Sequence, residues 1–317
     1  MSPAAPGSCR NESIRWFAPE DVRHRARLDA WCAGVGDPII QSLDASSTRL
    51  AVSLSDVTFV SWNVHVGNGD VRALVDDLRA GALTGNRKVS HFVLMLQEAL
   101  RAEGVPSYSP DAAGARRIAT RDPSHADILQ VSRDLNLSLI YVPSMRNGNA
   151  SDPASDRGSA ILSTLPLSEP VAIELPGERQ RRVVILARLH LLPGDAGGTS
   201  ASVGVIHLDA LGASRRLWVF WTPWMRERQV KSLEPMLPEG ALVLGADLNT
   251  WHGTDEAAVR LLGRHFRRTP VSRERVGLGL RVLDYLFMRA GDVRGAHYRQ
   301  LQNTYGSDHR PIVGWFD

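Results

Sequence analysis

Residues 241–251 read ALVLGADLNTW, and this stretch sets the interpretation of the rest of the chain. The run 241–246 is short and mostly aliphatic, which predicts a buried β-strand. Asp247 and Asn249 follow directly. Polar groups held at the ends of rigid strands are better placed for chemistry than polar groups scattered through loops. The stretch therefore predicts a strand whose end presents a carboxylate and a carboxamide to a functional site.

The same pattern recurs at five further predicted strands. Their polar ends are Asn63 after VTFVSW (57–62), Gln97 and Glu98 after FVLML (92–96), His207 and Asp209 in VGVIHLDA (203–210), Asp284 in VLDYLFM (282–288), and Asp308 and His309 before PIVGWF (311–316). One such residue alone is ordinary turn chemistry. Six polar strand ends in succession, all of the same few chemical types, instead indicate one convergent site.

The remaining pattern predicts a mixed α/β fold. Further strands are expected at LIYV (139–142), AILS (160–163) and VVILARLHL (183–191), and helices at Val71–Leu83, Ala126–Leu135, Arg226–Met236 and Asp255–Leu262. Helices interspersed with strands, some of them adjacent as hairpins, favour an α/β sandwich over a purely parallel sheet. We expect an N-terminal extension over residues 1–54, with an amphipathic stretch at Asp21–Trp31, and one catalytic domain over residues 55–317.

Composition is that of an ordinary globular chain, with 43% hydrophobic and 22% charged residues. No apolar run approaches the roughly 20 residues that a membrane-spanning helix needs. The net charge of +3 suits an anionic substrate, although the excess of Arg over Lys is equally typical of a GC-rich genome. The two cysteines, Cys9 and Cys32, are either unrelated thiols or a disulfide of an oxidising compartment. The first ten residues lack a secretory signal, and the cysteines favour a secreted or periplasmic protein.

The predicted site is rich in oxygen donors and has no Cys or His cluster. Such a site suits Mg²⁺ or Mn²⁺, with Ca²⁺ as a further candidate, and is poor for zinc. No organic cofactor is indicated. Two histidines remain to contact phosphate or move protons, each with an acidic partner to fix its tautomer. This combination is typical of metal-assisted phosphoester hydrolysis.

Seven motifs, SWNVHVG, LMLQEAL, RGSAILS, VIHLDA, LGADLNTW, LDYLF and SDHRP, occur in the order found in the endonuclease/exonuclease/phosphatase superfamily. The resemblance extends over roughly residues 55 to 317. That superfamily includes deoxyribonucleases, abasic-site endonucleases, bacterial sphingomyelinases and inositol polyphosphate phosphatases. The resemblance implies a four-layer α/β/β/α sandwich of two mixed sheets flanked by helices, with the site in a cleft at one edge of the sandwich.

The resemblance also implies the metal ligands. Glu98 resembles the principal ligand, supported by Asn63 and Asp308. His65 stands where some nucleases of the superfamily carry an acidic ligand, so the metal shell of this chain rests on fewer carboxylates unless Asp70 contributes from the following turn.

The other site residues take their expected roles from the same motifs. Asp247 resembles the residue that orients or deprotonates the attacking water, and Asn249 the amide that holds the scissile phosphate. His309 resembles a phosphate contact or proton-transfer group, with Asp284 accepting from its other ring nitrogen. His207 resembles the second phosphate-binding or leaving-group histidine.

Two positions depart from the usual motifs. Ser159 stands where an Asn is common, which removes a supporting amide. The usual Gly-Asp-Phe-Asn turn is here Gly-Ala-Asp-Leu-Asn, with Ala246 before Asp247, and the Asp-x-Asn spacing survives.

Substrate-contacting residues are harder to predict. Arg146 and Asn147, in a polar stretch after a predicted strand, are candidate phosphate contacts, whereas Arg181 and Arg182 are expected at the surface. An aromatic cluster follows the His207 motif, formed by Trp218, Phe220, Trp221 and Trp224. It would stack on nucleic-acid bases, insert into a lipid interface, or cover core. We expect a nuclease, with a sphingomyelinase-like phospholipid phosphodiesterase as the alternative and a non-catalytic binding protein of the same fold as a third hypothesis.

Overall fold

The computed structural model describes residues 2–3, 11–43, 52–107, 125–148, 152–177, 179–191, 200–210, 218–266, 275–276, 279–280, 283–290 and 295–317. The strands in chain order are β1 (Ser2–Pro3), β2 (Arg15–Ala18), β3 (Ile39–Gln41), β4 (Val57–Asn63), β5 (His91–Arg101), β6 (Ser138–Arg146), β7 (Asp156–Ser163), β8 (Leu167–Glu174), β9 (Val183–Leu189), β10 (Ala201–His207), β11 (Leu242–Asp247), β12 (Arg275–Val276), β13 (Gly279–Leu280), β14 (Asp284–Arg289), β15 (Ala296–Gln300) and β16 (Ile312–Phe316).

The helices are α1 (Val22–Cys32), α2 (Val71–Ala80), α3 (Ile128–Leu135), α4 (Trp218–Leu233) and α5 (Ala257–Gly263). Short 3₁₀ turns lie at Leu54–Asp56, Glu234–Met236 and Gly253–Asp255. Within the described residues, no helix has both the length and the apolar character that a membrane crossing requires.

Two mixed sheets form the centre of the fold. The first sheet has the order β1-β2-β8-β9-β10-β11-β14, and the second has the order β15-β16-β4-β5-β7-β6-β3. Parallel pairs, β10 with β11 in the first sheet and β4 with β5 in the second, lie among antiparallel neighbours. Because parallel strands end at the same edge of a sheet, each sheet brings two strand ends together.

Apolar packing divides the molecule into four layers. Between the sheets, Phe59 and Met95 of the second sheet belong to one buried cluster with Val205 and Leu286 of the first. This interior explains why the central strands are apolar on the faces that meet.

The two outer faces are covered by helices. α2 and α3 pack Leu74 and Leu129 against the second sheet, and α4 and α5 pack Val230 and Leu262 against the first. The buried residues of α2 recur at helical spacing, from Val71 through Leu78. The result is the predicted α/β/β/α sandwich, and the predicted fold class is confirmed.

The N-terminal segment is built into both sheets. β2 pairs parallel with β8 of the first sheet, and β3 pairs antiparallel with β6 of the second. Between them, the backbone N–H of Gly36 donates to the fully buried Asp156 carboxylate at 2.9 Å, which also accepts from Arg101 and Tyr141. Buried Cys32 is disulfide-bonded. Cys9, the other cysteine of the chain, lies outside the described residues, so the pairing with it stays a prediction.

The helix expected over Arg226–Met236 begins earlier, because α4 starts at Trp218 and continues through Pro223. The aromatic stretch after the His207 motif is therefore helical rather than a loop. Pro223 lies inside this helix, where proline removes one backbone hydrogen bond and crowds the preceding turn. The side chains of residues 218–221 lie outside the described part of the structure.

Candidate active site

Strand register collects the predicted polar ends at one edge of the sandwich. In the first sheet, His207 at the end of β10 pairs with Asp247 at the end of β11, and Asp247 pairs with Asp284 at the start of β14. In the second sheet, Asn63 at the end of β4 pairs with Gln97 in β5.

The two sheets approach closely beside these strand ends. A Cβ atom on Gly245 would lie 2.6 Å from Met95 Cβ and 3.0 Å from Ser61 Oγ, so only glycine fits there without displacement. The adjacent Ala246 donates its backbone N–H to Ser61 Oγ at 3.0 Å, which links β11 to β4 across the interior. The extra alanine of the Gly-Ala-Asp-Leu-Asn turn is thus accommodated inside the strand.

Asp247 is buried at the centre of the site. Its Oδ2 accepts from Asn63 Nδ2 at 2.8 Å, and its Oδ1 accepts from the backbone N–H of Asn249 at 3.0 Å. Burial raises the pKa of Asp247 to about 6, against the opposing charge of His309. Asn249 has a positive φ of 51° and donates its Nδ2 to Leu208 O at 3.1 Å, which ties the ends of β10 and β11 together.

His309 and Asp284 form a hydrogen-bonded pair. His309 Nδ1 lies 2.8 Å from Asp284 Oδ2, and the backbone of His309 is held by Ser307 Oγ and by the indole N–H of Trp62. Although burial opposes the charge on His309, the carboxylates of Asp284, Asp247 and Asp308 raise the pKa of His309 to about 10. His309 is therefore an imidazolium at neutral pH.

His207 differs from His309 in both partner and charge. Its Nδ1 lies 3.1 Å from Arg182 Nη1, and its Nε2 lies 3.5 Å from Asp247 Oδ2. Burial, together with Arg182, Arg157 and His309, lowers the pKa of His207 well below its ordinary value. The sequence predicts an acidic partner for each histidine. His309 has Asp284 at 2.8 Å, whereas His207 has Asp247 at 3.5 Å from Nε2 and an arginine, Arg182, at Nδ1.

The prediction that Arg181 and Arg182 lie at the surface is wrong. Arg181 is 1% exposed and pairs with buried Glu174, while Arg182 is 4% exposed and faces the site. Both arginines lie just before β9 and make hydrogen bonds to buried polar groups. The sequence shows that a strand begins there, but not that the other sheet covers it.

The two predicted substrate contacts, Arg146 and Asn147, both make hydrogen bonds within the protein. Arg146 is buried, and its Nη1 donates to the carbonyls of Gly34 and Pro106 at 3.3 and 2.6 Å. Asn147 accepts from Arg157 Nη1 at 3.2 Å. The substrate role of Arg146 and Asn147 remains a prediction. Arg157 is the arginine of this region that acts electrostatically on His207, and its signal in the sequence was its place at the head of the RGSAILS motif.

Glu98 sits on an irregularity of β5. The pairing of β5 with β7 shifts between Leu96 and Ala99, and Glu98 takes a φ of 54° at this bulge. A positive φ outside glycine is uncommon and concentrates at functional sites, where surrounding structure holds it. The half-buried Glu98 carboxylate makes no hydrogen bond or ion pair with any described residue, so it is free to bind a cation.

Asp308 lies at the open side of the site. Its Oδ1 is 3.5 Å from His65 Nδ1 and 3.9 Å from His309 Nε2, and its side chain is 60% exposed. Asp70, the suggested extra ligand, instead caps α2 by accepting from the backbone N–H of Ala73 at 3.0 Å. The open side of the site is therefore formed by His65 and the exposed carboxylate of Asp308.

The donors of the site are of the kind that holds a hard divalent cation. One ligand atom from each of Asp247, Asp284 and His309 lies within 4.8 Å of the others, and Asp284 Oδ1 is buried without a hydrogen-bond partner. The predicted ligands Glu98, Asn63 and Asp308 offer oxygen donors only. Oxygen donors are those that Mg²⁺ and Mn²⁺ prefer.

Comparisons with known proteins agree with this fold. The model of the endonuclease/exonuclease/phosphatase family matches residues 60–309. The human Nocturnin catalytic domain with bound sulfate superposes with a TM-score of 0.50 at 14% identity, covering 88% of this chain and 97% of that one. A family protein from Leptotrichia buccalis C-1013-b gives 0.53 at 12% identity, covering 82% and 99%. No curated protein sequence matches the chain.

Proposed function

The chain belongs to the endonuclease/exonuclease/phosphatase family, and on this premise we propose that it is a divalent-metal-dependent phosphodiester hydrolase acting on nucleic acid. The observation that carries the proposal is the environment of Asp247. This carboxylate is buried, accepts hydrogen bonds from Asn63 and Asn249, and lies beside the charged His309.

Asp247 is suited to take a proton from an attacking water. With a pKa of about 6 it is mostly a carboxylate at neutral pH, yet it is more basic than an ordinary aspartate. The hydrogen bonds from Asn63 and Asn249 fix its orientation, so its position is set before substrate binds. Asn63 also accepts from the backbone N–H of His65 at 3.0 Å, which holds its amide in one orientation.

The scissile phosphate is assigned to the donors that surround Asp247. His309 is charged, and Asp284 orients its ring. Asn249 and His207 flank the same carboxylate from the ends of β11 and β10. Preorganised donors aimed at phosphate oxygens stabilise the charge that develops there, and loss of one such donor costs about 10²–10³ in kcat.

The metal is assigned to Glu98, Asn63 and Asp308. When bound, a divalent cation polarises a phosphate oxygen and neutralises charge. The alternative position, among Asp247, Asp284 and His309, is disfavoured because His309 as an imidazolium carries a proton on both ring nitrogens and has no lone pair for a metal.

One surface feature bears on the substrate. Trp224 is 49% exposed, and the guanidinium of Arg228 lies 5.8 Å from its ring centroid. An exposed aromatic beside a cation suits stacking on a nucleic-acid base. It also suits insertion into an anionic lipid interface, so a sphingomyelinase-like phospholipid phosphodiesterase is the second candidate.

The test is a matrix of metals and substrates. Plasmid DNA, RNA, sphingomyelin vesicles and bis(p-nitrophenyl) phosphate are each incubated with Mg²⁺, Mn²⁺, Ca²⁺ or excess chelator. We expect DNA or RNA cleavage with Mg²⁺ or Mn²⁺ and none with chelator. Asp247→Asn should abolish cleavage, while Asp255→Asn, an exposed carboxylate of the same segment, should not.

Four outcomes count against the proposal. Turnover of sphingomyelin alone replaces the nucleic-acid substrate with a lipid. Full activity in excess chelator contradicts the dependence on a metal. Unchanged activity of Asp247→Asn contradicts its role as the base. No hydrolysis of any substrate supports a non-catalytic binding protein instead.

A further inference from the structure

Arg182 is a buried cation that forms no ion pair with any described carboxylate. Its side chain is 4% exposed, and no carboxylate of the described residues lies within ion-pair distance. Nη2 donates to Gln180 Oε1 at 2.8 Å, Nη1 lies 3.1 Å from His207 Nδ1, and Nε has no hydrogen-bond partner. Three other buried arginines, Arg101, Arg181 and Arg226, each pair with a carboxylate. A buried charge that no described carboxylate compensates is costly.

Only one assignment of donor and acceptor is possible for the contact between Arg182 and His207. A guanidinium carries donors and no acceptor, so His207 Nδ1 accepts the hydrogen bond. A neutral imidazole that accepts at Nδ1 carries its proton on Nε2. Protonating Nδ1 as well would place an N–H against the guanidinium and forfeit this bond. The arrangement therefore holds His207 as a neutral ring with an N–H on the side of Asp247, whose Oδ2 is 3.5 Å away.

The charges around His207 agree with this geometry. Three cations surround His207, namely Arg182 just before β9, Arg157 in β7 and His309 of the SDHRP motif. Asp247 at the end of β11 is a carboxylate in contact with the ring. β7 belongs to the second sheet and β9 to the first, so the cations approach His207 from both sides of the sandwich edge.

We propose that Arg182 is a positioning residue that fixes His207 as a neutral Nε2–H donor to the scissile phosphate. This rests on the proposed phosphodiester hydrolysis. In that reaction His207 donates a hydrogen bond and does not supply the proton of the leaving group. The unpaired charge of Arg182 is compensated when the anionic phosphate binds.

The first experiment uses the unmodified protein and needs no substrate. Uniform ¹⁵N labelling and a long-range imidazole spectrum report which nitrogen of each histidine is protonated, and His207→Gln assigns the signals of His207. We expect an unprotonated Nδ1 and a protonated Nε2. Two protonated nitrogens, or the reverse tautomer, overturn the proposal whether or not an activity has been found.

The second experiment separates positioning from stability. Arg182→Met removes both the donor and the charge, and Arg182→Lys keeps a cationic donor. Arg181→Lys is the matched control, because Arg181 is the adjacent buried arginine but pairs with Glu174. We expect Arg182→Met to lose about tenfold to a hundredfold in kcat with a smaller change in KM. We also expect His207 in this variant to populate both neutral tautomers or the charged form.

Arg182→Lys should restore part of that loss, and Arg181→Lys should lower thermal stability without changing the His207 spectrum. If Arg182→Met unfolds, the comparison of Arg182→Lys with Arg181→Lys still decides the question. A wild-type tautomer and wild-type kcat in every folded Arg182 variant overturn the proposal while leaving the hydrolase assignment intact.

Discussion

Asp247 and Asp284 lie directly opposite each other on the paired antiparallel strands β11 and β14. Two carboxylates at this spacing repel, and Asp284 is one cause of the raised pKa of Asp247. His309 offsets the repulsion, since its ring bonds Asp284 and its charge lowers the pKa of Asp247 in turn. Asp284 therefore links the charges of Asp247 and His309, because it faces the Asp247 carboxylate on the paired strand and bonds the His309 ring.

The rate of hydrolysis should show a bell-shaped pH dependence. Asp247 acts as a carboxylate, so kcat/KM should rise as the pH increases through about 6. His309 acts as an imidazolium, so kcat/KM should fall as the pH increases through about 10. The measurement is kcat/KM between pH 4.5 and 11 at saturating metal, with Asp255→Asn as a control that keeps both limbs. A rate that does not change between pH 5 and 7 would contradict the role of Asp247.

Replacing Asp284 with Asn should move the alkaline limb towards lower pH. The Asp284 carboxylate is the first of the charges that raise the pKa of His309. Its removal should lower that pKa by about 1–3 units, because an opposite charge in contact is worth a shift of that size. The histidine NMR titration and the pH–rate profile should report the same displacement.

The control for that variant is Asp317→Asn, which removes the carboxylate beside the surface residue His297. It should leave both limbs in place. An unchanged pKa of His309 in Asp284→Asn would mean that the 2.8 Å contact does not hold the charge on His309.

Glu98→Gln should weaken metal binding while keeping the fold. The change removes one negative charge from an unpartnered carboxylate at the bulge of β5. We expect the Kd for Mn²⁺, measured by calorimetry, to rise about tenfold to a hundredfold, with kcat partly recovered at high metal. Glu103→Gln is the control, because Glu103 is exposed and pairs with Arg133.

The same titration distinguishes the two metal positions. If Glu98→Gln binds Mn²⁺ as wild type does and Asp284→Asn does not, the ion belongs to the cluster of Asp247, Asp284 and His309.

Sequence alone predicted the strands that carry the site, because apolar runs that end in a polar residue are local features. It placed Asp247 and His207 at strand ends, where the structure finds them in register. It missed β8, whose first half alternates with exposed residues and includes Pro170. It also missed β2 and β3, since strands of three or four residues are defined by their partners rather than by their own pattern.

Dependence on partners distant in sequence also explains why the burial of the arginines could not be predicted. Burial of Arg182 and its contact with His207 arise from the opposition of two sheets, and no local pattern distinguishes Arg182 from Arg188, which is half exposed on the same strand. Likewise, only the register of β7 turns Arg157 towards the site while Arg146 is used to bind the N-terminal segment.

The buried ion pair of Arg226 and Glu256 should stabilise the site loops through its geometry rather than through its charge. Arg226 donates twice to Glu256, at 2.8 Å each, and its Nη1 lies 3.4 Å from the carbonyl of Asp209. Glu256 also accepts from the backbone N–H of His252. Through α4, the pair thus joins the segment after β10 to the segment after β11.

Arg226→Met should lower the free energy of unfolding by about 3–5 kcal/mol, because it leaves Glu256 buried and uncompensated. The double variant Arg226→Met with Glu256→Leu should recover most of this stability, since replacing a buried pair by apolar groups of similar volume is nearly neutral.

Urea unfolding measures the stability of the single and the double variant, and kcat reports whether the site loops are still positioned. The double variant should remain slow, because the carbonyl of Asp209 and the backbone N–H of His252 have lost their hydrogen bonds to the pair. If the double variant is as unstable as the single one, the penalty does not come from the unpaired charge. If it is stable and fully active, the pair does not position the loops.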